Sequence, residues 1–515
     1  MSATAAQSIA GSLLGDLTAT SGSSTSVIAP FTGEVLCELP TSTAEDVADA
    51  ASAARVAQRA WFMASPAHRR RILLAGHDRL LADSERLLDL VQLETGKTRG
   101  PAYEELFQGV SATRYAALAA ESVTRTRRRR AGIPLVMVTR VSYRPKGVIG
   151  VITPWNYPLS LALMDVIPAL ATGNAVVQKA DNQTVLTVLA ARRAFIEAGL
   201  PAALWSVVVG DANEVGNAVV DSADYVCFTG STATGTKVGQ RALGRVVGAS
   251  LELGGKNPMI VLDDANPAKA AASSVYGCFS SMGQLCVSME RIYVQRAIAE
   301  DFTREFIARV NSLVQGSALD YSTDVGSLAS AAQLARVHAH VKDAVAKGAT
   351  VLAGGNARPE LGPYFYEPTV LTDVTSEMLC FAGETFGPVV ELSIVETEDD
   401  AINAANSSEF GLNASVFSGS VRRARRVAEQ ITAGSVNINE GYRASFGSID
   451  APMGGMKHSG LGRRNGREGL LRFVDSRTVA QATGIITLPG TGVAAGKLAG
   501  VMTLALKSLK AVRRR

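Results

Sequence analysis

Two kinds of hydrophobic periodicity run along this chain. Apolar residues recur at helical spacing over residues 44–60 and 67–95, which predicts helices in both segments. From residue 148 onward, short apolar runs alternate with helical segments. The strand-like runs are 148–152, 175–177, 206–209 and 225–228, and the helical segments between them are 184–198, ending at Gly199, and 213–220. This alternation predicts a parallel sheet with helices on both faces.

A second alternating block begins at Pro258 and continues to about Asn439. Its strand-like runs are 259–262 and 291–294, and they are followed by helical segments over 267–279 and 298–315. We therefore predict a second α/β domain. Because ligand sites favour domain junctions, we expect the functional site near the junction between the two blocks.

Three segments fit neither block. Residues 1–28 are rich in Ser, Thr, Ala and Gly, and we predict that most of them form a loose arm. Residues 125–145 begin with the basic run Arg127–Arg130 and continue as a β-like segment through Pro134 and Leu135. The simplest interpretation of the arginine run is a solvated face. Residues 470–482 are β-like as well.

The C-terminal tail, residues 486–515, is basic and amphipathic. Leu498, Val501, Met502, Leu509 and Val512 share one predicted helical face, Lys507 and Lys510 lie opposite, and Arg513–Arg515 end the chain. Glycines and Lys497 interrupt the apolar run, so we do not expect it to span a bilayer. Two alternatives remain for the tail, a membrane-surface helix and packing on a neighbouring subunit.

Composition excludes several classes of function. The net charge of +4 is small for 515 residues, which argues against a nucleic-acid partner. The five cysteines are scattered without a C-x-x-C pair, so we expect no disulfide framework and no metal site. The N-terminus lacks the basic segment of a signal peptide. These features together favour a cytoplasmic protein.

Four short motifs carry the candidate chemistry. They are Pro154-Trp-Asn-Tyr-Pro158, Glu252-Leu-Gly-Gly-Lys256, Gly283-Gln-Leu-Cys286 and Glu384-Thr-Phe-Gly-Pro388. A thiol at Cys286 can attack a carbonyl carbon, and the Asn156 amide can stabilise the oxyanion beside the Cys286 backbone N–H. Glu252 can then activate the water that hydrolyses the thioester. A lone cysteine is more often structural, but these motifs together indicate a catalytic one.

These motifs, in this order, resemble the aldehyde dehydrogenase superfamily from about Pro30 to about Thr478. The resemblance implies an α/β fold with a Rossmann-like cofactor domain at 29–124 and 146–253, a catalytic domain at 254–455 and an oligomerisation β-extension at 125–145 and 465–485. It also implies a homodimer or homotetramer that oxidises an aldehyde to its acid with NAD(P)+. Members that transfer the acyl group to coenzyme A typically lack a glutamate at the position of Glu252, so we expect hydrolysis.

The cofactor site follows partly from sequence and partly from this resemblance. Phe228–Gly235 follows a strand and opens a helix, so its backbone N–H groups and Ser231 can hold a pyrophosphate, although its spacing is not G-x-G-x-x-G. Read by that fingerprint, Glu252 would be a ribose ligand, but the resemblance assigns it to catalysis. The cofactor-binding residues implied are Ile152, Thr153, Pro154, Trp155, Lys179, Asn182, Gly210, Thr229, Gly230, Ser231, Leu253, Gly254, Glu384 and Phe386.

The choice between NADP and NAD depends on one short segment. Lys179 matches the family lysine that contacts the adenine ribose, and Asn182 stands where many NAD-preferring members have glutamate. Without that carboxylate a ribose phosphate is not repelled, so we expect NADP or NAD with NADP slightly favoured. Asp181 favours NAD if its carboxylate reaches the ribose, because its negative charge would then repel the phosphate of NADP.

The substrate prediction leaves alternatives open. Length and basic tail resemble a mycobacterial subgroup of succinate-semialdehyde dehydrogenases, yet the positions where well-studied members carry arginine hold Met164 and Ser280. Arg443 could supply the missing charge. A tunnel lined by Leu161, Met164, Met282 and Phe446 would instead suit an uncharged aliphatic or aromatic aldehyde. A non-catalytic protein that keeps the fold is the alternative from another class.

Overall fold

Within the residues that the computed structural model describes, 10–131, 136–484 and 490–511, six strands form a first large sheet. Across the sheet the strands are Gly460–Leu461, Gly248–Glu252, Tyr225–Thr229, Val148–Ile152, Ala175–Lys179 and Trp205–Val208. All neighbours are parallel except the short Gly460–Leu461 strand. The predicted apolar runs are therefore four of the parallel strands, three of them central and Trp205–Val208 at the edge of the sheet, and their carboxyl ends lie on one side.

The helices of the first half agree with the predicted segments 44–60, 184–198 and 213–220 to within a few residues, whereas Arg99–Thr124 and Pro158–Ala171 have no counterpart among the predicted segments. The helices are Ala44–Met63, Pro66–Ala82, Ser84–Thr95, Arg99–Thr124, Pro158–Ala171, Val185–Glu197, Asn217–Ser222 and Thr232–Gly244. The segment 67–95 is two helices and not one, because Asp83 leaves the helical conformation at φ −102° and ψ 19°. Gly199 follows the Val185–Glu197 helix with φ 99°, as its predicted role in ending the helix requires.

Seven strands of the described residues form the second sheet. In order they are Thr350–Ala353, Thr369–Thr372, Val389–Val395, Met289–Gln295, Asn257–Val261, Asn413–Phe417 and Ser435–Ile438, parallel except for the first pair. Its helices are Pro267–Phe279, Arg296–Asn311, Ala331–Ala346, Leu379–Ala382, Glu398–Asn406, Val421–Ala428 and Arg443–Phe446. The chain passes from the first sheet to the second between Glu252 and Asn257, which is close to the predicted domain boundary.

The N-terminal segment is packed and not loose. Residues 10–14 are helical, and Leu13 is fully buried. Farther on, Ser24–Ile28 pairs with Val35–Pro40 in an antiparallel hairpin. The prediction of a loose arm is therefore wrong for residues 10–28, because a few apolar side chains among the small polar residues anchor the segment in the core. Residues 1–9 lie outside the described residues.

The predicted oligomerisation segments form a separate compact unit, residues 124–144 and 475–515. Its sheet contains the strands Arg127–Arg129, Met137–Pro145 and Val474–Ala482, so the arginine run is part of a strand. The predicted start at residue 465 is wrong, because Gly466–Leu471 is a helix of the main unit. Pro134 and Leu135 lie outside the described residues.

The tail contains one helix, Gly492–Ala511, and none of its residues is buried. Among the helices that the structure describes, it is the one long and apolar enough to cross a membrane when judged by length and composition alone. The predicted contributions of Val512 and Arg513–Arg515 lie outside the described residues.

Candidate active site

A cleft at the carboxyl edge of the first sheet brings Cys286, Glu252 and Asn156 together. The residues that line it are Pro154, Trp155, Asn156, Leu161, Thr229, Gly230, Ser231, Glu252, Leu253, Gly254, Cys286, Gln333, Arg336, Glu384 and Phe386. The three predicted catalytic residues and most of the predicted cofactor residues thus line the same cleft. Sequence reasoning missed Gln333 and Arg336, whose helix carries no motif.

A second, narrower cavity continues from the same three residues. It is lined by Asn156, Tyr157, Ser160, Leu161, Met164, Glu252, Leu253, Leu285, Cys286, Leu412, Phe446, Met453 and Arg464. The two cavities share Asn156, Glu252 and Cys286, so these side chains lie where a cofactor in the cleft and a substrate in the tunnel would meet.

Cys286 lies on a sharply turned segment. Ser281 and Met282 adopt left-handed backbone conformations, with φ 51° and 58°. The side chain of Asn257 holds the segment in place by donating hydrogen bonds to the Cys286 and Ser288 carbonyl oxygens, at 2.8 and 2.7 Å. Cys286 is half-buried, so the turn presents the thiol to the cleft while neighbouring backbone groups remain satisfied.

The environment of Cys286 favours the thiol form. Burial raises the pKa of Cys286 to about 12, and the nearby negative charges of Glu252 and Glu384 act in the same direction. Because the thiolate is the nucleophile, this cysteine needs a base close by before it can react.

Glu252 ends the Gly248–Glu252 strand and is buried. Burial raises its pKa to about 7, while the positive charges of Arg464 and Arg472 oppose the rise. Its Oε1 atom has no hydrogen-bond partner among the described residues. A carboxylate with a pKa near neutrality and a free oxygen facing the cleft has the properties of a general base.

Asn156 is fixed from behind by buried charges. Lys97 Nζ donates to the Asn156 carbonyl oxygen and to Glu105, both at 2.6 Å. Glu105 in turn accepts from the Leu159 N–H at 2.7 Å. The Asn156 side-chain Nδ2 donates to the Gln284 carbonyl at 3.0 Å, which leaves its second hydrogen free. Sequence reasoning missed Lys97 and Glu105, since nothing in the pattern separates them from surface charges.

Two buried carboxylates, Glu384 and Glu290, hold the Glu384–Pro388 motif in place at the cleft. Glu384 Oε1 accepts from the Gly255 N–H at 2.8 Å, and burial, together with the charge of Glu290, raises the pKa of Glu384 to about 7. Glu290 accepts from the Phe386 N–H at 3.0 Å and pairs with Lys256 at 2.7 Å. These contacts hold Phe386 in a left-handed conformation, with φ 55°.

The N-terminus of the Thr232–Gly244 helix opens into the same cleft. Ser231 caps the helix by accepting from the Thr234 N–H at 3.3 Å, and the Gly230 N–H donates to the Glu252 carbonyl at 3.1 Å. The unpaired N–H groups of a first helical turn attract anions, so this terminus fits the pyrophosphate of a dinucleotide. Trp155 meets the ring of Phe386 edge-on, with ring centroids 5.6 Å apart.

The remaining predicted cofactor residues lie at adjoining strand ends. Ile152 is paired with Lys179 across neighbouring strands, and Thr153 Oγ1 accepts from Gln178 at 3.0 Å. Asn182 Oδ1 accepts from the Gly210 N–H at 2.9 Å. Neighbouring Asp181 caps a short turn, accepting from the Gln183 N–H at 3.0 Å. These residues therefore lie together at the carboxyl ends of neighbouring strands, close in sequence to Pro154 of the cleft, and the oxygens of Thr153 and Asn182 already accept from protein donors.

The tunnel wall agrees with part of the substrate prediction. Leu161, Met164 and Phe446 line it, as predicted. Ser160 also lines the tunnel, and its buried hydroxyl has no hydrogen-bond partner among the described residues. Sequence reasoning missed Ser160, because a serine inside an apolar helix carries no functional signal.

Three predicted substrate residues are absent from the described residues that line this tunnel. Met282 is fully buried in the core of the second sheet. The Ser280 hydroxyl accepts from Tyr442 at 3.0 Å. Arg443 pairs with Glu440 at 3.0 Å and is half exposed. The prediction that these residues face the substrate is therefore not supported, because the left-handed turn and local pairing direct them elsewhere.

Charged groups near the tunnel form a closed cluster. Asp165, which would repel a carboxylate if it faced the tunnel, is fully buried and accepts from Arg464 and Arg472. Burial acts to raise the pKa of Asp165, but the two arginines hold it below its usual range. Arg464 also donates to Thr229 of the cofactor cleft. Among the described residues, no group of three His, Cys, Asp or Glu could hold a metal ion.

Residues 17–479 match the model of the aldehyde dehydrogenase family. A Mycobacterium tuberculosis protein, provisionally named succinate-semialdehyde dehydrogenase (NADP+) 2, is 48% identical over 452 residues, covering 88% of this chain and 87% of that protein. A Mycolicibacterium smegmatis protein, provisionally named succinate-semialdehyde dehydrogenase (NADP+), is 47% identical over 480 residues and 93% of each chain. Betaine aldehyde dehydrogenase from Staphylococcus aureus, solved with NAD+, superposes with a TM-score of 0.88 at 32% identity, covering 95% of this chain and 99% of that one.

Proposed function

The chain belongs to the aldehyde dehydrogenase family, and from this premise we propose that it oxidises succinate semialdehyde to succinate with NADP+ or NAD+, NADP+ slightly favoured. The observation that carries the proposed chemistry is the convergence of Cys286, Glu252 and Asn156 at the junction of the cleft and the tunnel. The names of the two mycobacterial relatives support the choice of substrate. A non-catalytic role has no support, since all three groups are present.

In the proposed first step, Cys286 forms a bond to the aldehyde carbon and its proton passes to Glu252, the base in the same cleft. The second hydrogen of the Asn156 amide and the Cys286 N–H stabilise the negative oxygen that results. NADP+ or NAD+, when bound, supplies the hydride acceptor, and loss of hydride leaves a thioester on Cys286. Glu252 releases the thiol proton to solvent and, again a carboxylate, removes a proton from the water that attacks the thioester. Collapse of the adduct releases the acid, and Glu252 returns its proton to the Cys286 sulfur.

The proposed cofactor contacts follow from the donors and acceptors of the cleft. The helix N-terminus at Ser231 suits the pyrophosphate, and Lys179 and Asn182 suit the adenine ribose. Glu384 offers a carboxylate for the hydroxyls of the nicotinamide ribose. Phe386 and Trp155 line the part of the cleft that would hold the nicotinamide. The amide of Asn182 carries no charge that would repel the ribose phosphate of NADP+, which supports the slight preference for that cofactor.

For the substrate carboxylate, the structure supports neutral donors in place of an arginine fork. Arg464 lines the tunnel but is engaged by Asp165, and Arg443 is engaged by Glu440. Ser160 offers a buried hydroxyl that is free to donate. We propose that Ser160 meets the distal carboxylate, because a hydrogen bond to a charged group contributes about 1.5–3 kcal/mol.

A second candidate substrate is an uncharged aliphatic or aromatic aldehyde. The observation that favours it is the apolar wall formed by Leu161, Met164, Leu285, Leu412, Phe446 and Met453. An apolar tunnel contributes binding energy to a hydrocarbon chain and none to a carboxylate.

The test is steady-state formation of NADPH and NADH with succinate semialdehyde and with hexanal, for the natural enzyme and a Ser160→Ala variant. We expect a preference for succinate semialdehyde, and we expect the variant to lower kcat/KM for this substrate by about 10- to 100-fold while changing hexanal oxidation little. A preference for hexanal would establish the second candidate. Equal losses for both substrates would exclude the proposed role of Ser160.

We also propose a cytoplasmic homodimer or homotetramer, supported by the scattered unpaired cysteines and by the separate three-stranded extension. Sedimentation equilibrium of the whole chain tests this proposal. A monomeric mass at micromolar concentration would contradict it.

A further inference from the structure

The tail helix Gly492–Ala511 is apolar without being part of the core. None of its residues is buried: Leu498, Met502 and Leu509 are partly exposed, and Val501 and Leu506 are 66% and 60% exposed. Single exposed apolar residues are ordinary, but a continuous helix of them indicates a surface that meets another apolar phase or a partner.

Charge identifies the partner. The chain has no acidic residue after Asp475, whereas residues 486–515 contain Lys497, Lys507, Lys510 and Arg513–Arg515. These six positive charges exceed the net charge of +4 of the whole chain, so residues 1–485 carry a net charge of −2. The tail is therefore a concentrated basic segment on an otherwise slightly acidic protein, and it is complementary to an anionic surface.

The apolar side chains and two of the lysines lie on opposite faces of this helix. With 100° between successive residues, Leu498, Met502, Ala505 and Leu509 fall on one side of the helix, and Lys507 and Lys510 fall on the other. A bilayer with anionic headgroups accepts the apolar face and attracts the lysines at the same time.

We propose that Gly492–Ala511 is an interfacial helix that binds the chain to the surface of an anionic membrane. Lys497 and Gly496 interrupt its apolar run, so the helix lies in the plane of the headgroups and does not cross the bilayer. The proposal rests on the helix alone and holds for whichever aldehyde is the substrate. It gives the enzyme access to its aldehyde at the membrane surface as well as in solution.

The test is co-sedimentation of the full chain with vesicles of phosphatidylcholine, with and without phosphatidylserine, at low and high salt. We expect binding to the anionic vesicles that weakens at high salt, because salt screens the attraction. Lys507→Gln/Lys510→Gln should lower binding by more than about tenfold, since each basic residue contributes roughly fivefold at an anionic surface.

A matched pair of variants tests the apolar face. Leu498→Gln/Leu509→Gln should abolish binding, whereas Val493→Gln/Leu504→Gln, the same kind of change on the other side, should reduce it much less. Solution turnover and circular dichroism check the folding of each variant. The proposal is overturned if the chain does not bind anionic vesicles, if it binds neutral vesicles equally, or if the two pairs behave alike. A smaller oligomer for Leu498→Gln/Leu509→Gln without lipid would overturn it in favour of packing on a second copy.

Discussion

Arg464 and Asp165 form a buried ion pair that joins the segment just before the Gly466–Leu471 helix to the Pro158–Ala171 helix beside the candidate active site. Arg464 Nε lies 2.9 Å from Asp165 Oδ1, and the two side chains are 2% and 0% exposed. Arg472 donates to the same carboxylate at 2.5 Å. Two positive charges and one negative charge leave a net positive charge beside Glu252, which opposes the effect of burial on the pKa of the base.

Asp165→Asn should therefore destabilise the protein strongly. Removing one partner leaves two buried arginines short of a counter-charge, and losses of about 3–5 kcal/mol in the free energy of unfolding are typical. Urea unfolding followed by fluorescence measures the change. The control is Asp221→Asn, whose pair with Arg241 is more than 40% exposed and should be worth less than about 1 kcal/mol. Equal effects of the two substitutions would contradict the prediction.

Cys286→Ala should abolish turnover, whereas Cys278→Ala should retain it. Cys286 faces the cleft, and Cys278 is a buried core residue. Because burial raises the pKa of Cys286 to about 12, its alkylation by iodoacetamide in the cofactor-free protein should keep accelerating as pH rises above 9. Loss of turnover in both variants, or alkylation that levels off near neutral pH, would count against this assignment.

The oxidation rate should depend on pH through Glu252. Its raised pKa of about 7 means that the basic form increases above pH 7 and is lost as pH falls below it, so kcat should fall on the acid side. Glu252→Gln should lower kcat by about 10²–10⁴-fold and remove this dependence. At alkaline pH, where solvent removes the thiol proton, the variant should show a burst of reduced cofactor followed by slow turnover. A variant with unchanged pH dependence would exclude Glu252 as the base.

Cofactor preference should respond to one isosteric change. Asn182→Asp keeps the acceptor that the Gly210 N–H requires and adds a negative charge where we expect the ribose phosphate. We expect kcat/KM with NADP+ to fall by at least about tenfold while the value with NAD+ changes little, since close like charges cost more than 1.4 kcal/mol. Asp181→Asn is the matched opposite change and should favour NADP+. If Asn182→Asp affects both cofactors equally, the phosphate lies elsewhere.

The parallel sheets could be predicted because their strands are buried on both faces and read as continuous apolar runs, such as Val148–Ile152. The clustering of Cys286, Glu252 and Asn156 in one cleft could be predicted because each lies in a short motif that is local in sequence. The Arg464–Asp165 pair could not, because its partners are 299 positions apart and each looks like a surface charge. The orientation of Met282 could not be predicted either, since no rule requires a left-handed methionine at that turn.

The contact of Lys97 with the Asn156 carbonyl has a consequence for the way this enzyme can change. The position of the Asn156 amide depends on a lysine that lies 59 positions earlier and that is not among the described residues lining the cleft or the tunnel. Natural variation at Lys97 or Glu105 could therefore alter turnover while leaving binding of aldehyde and cofactor almost intact. In a set of natural variants, such substitutions of buried residues would resemble folding defects. Their first effect would be a displaced Asn156 side-chain amide.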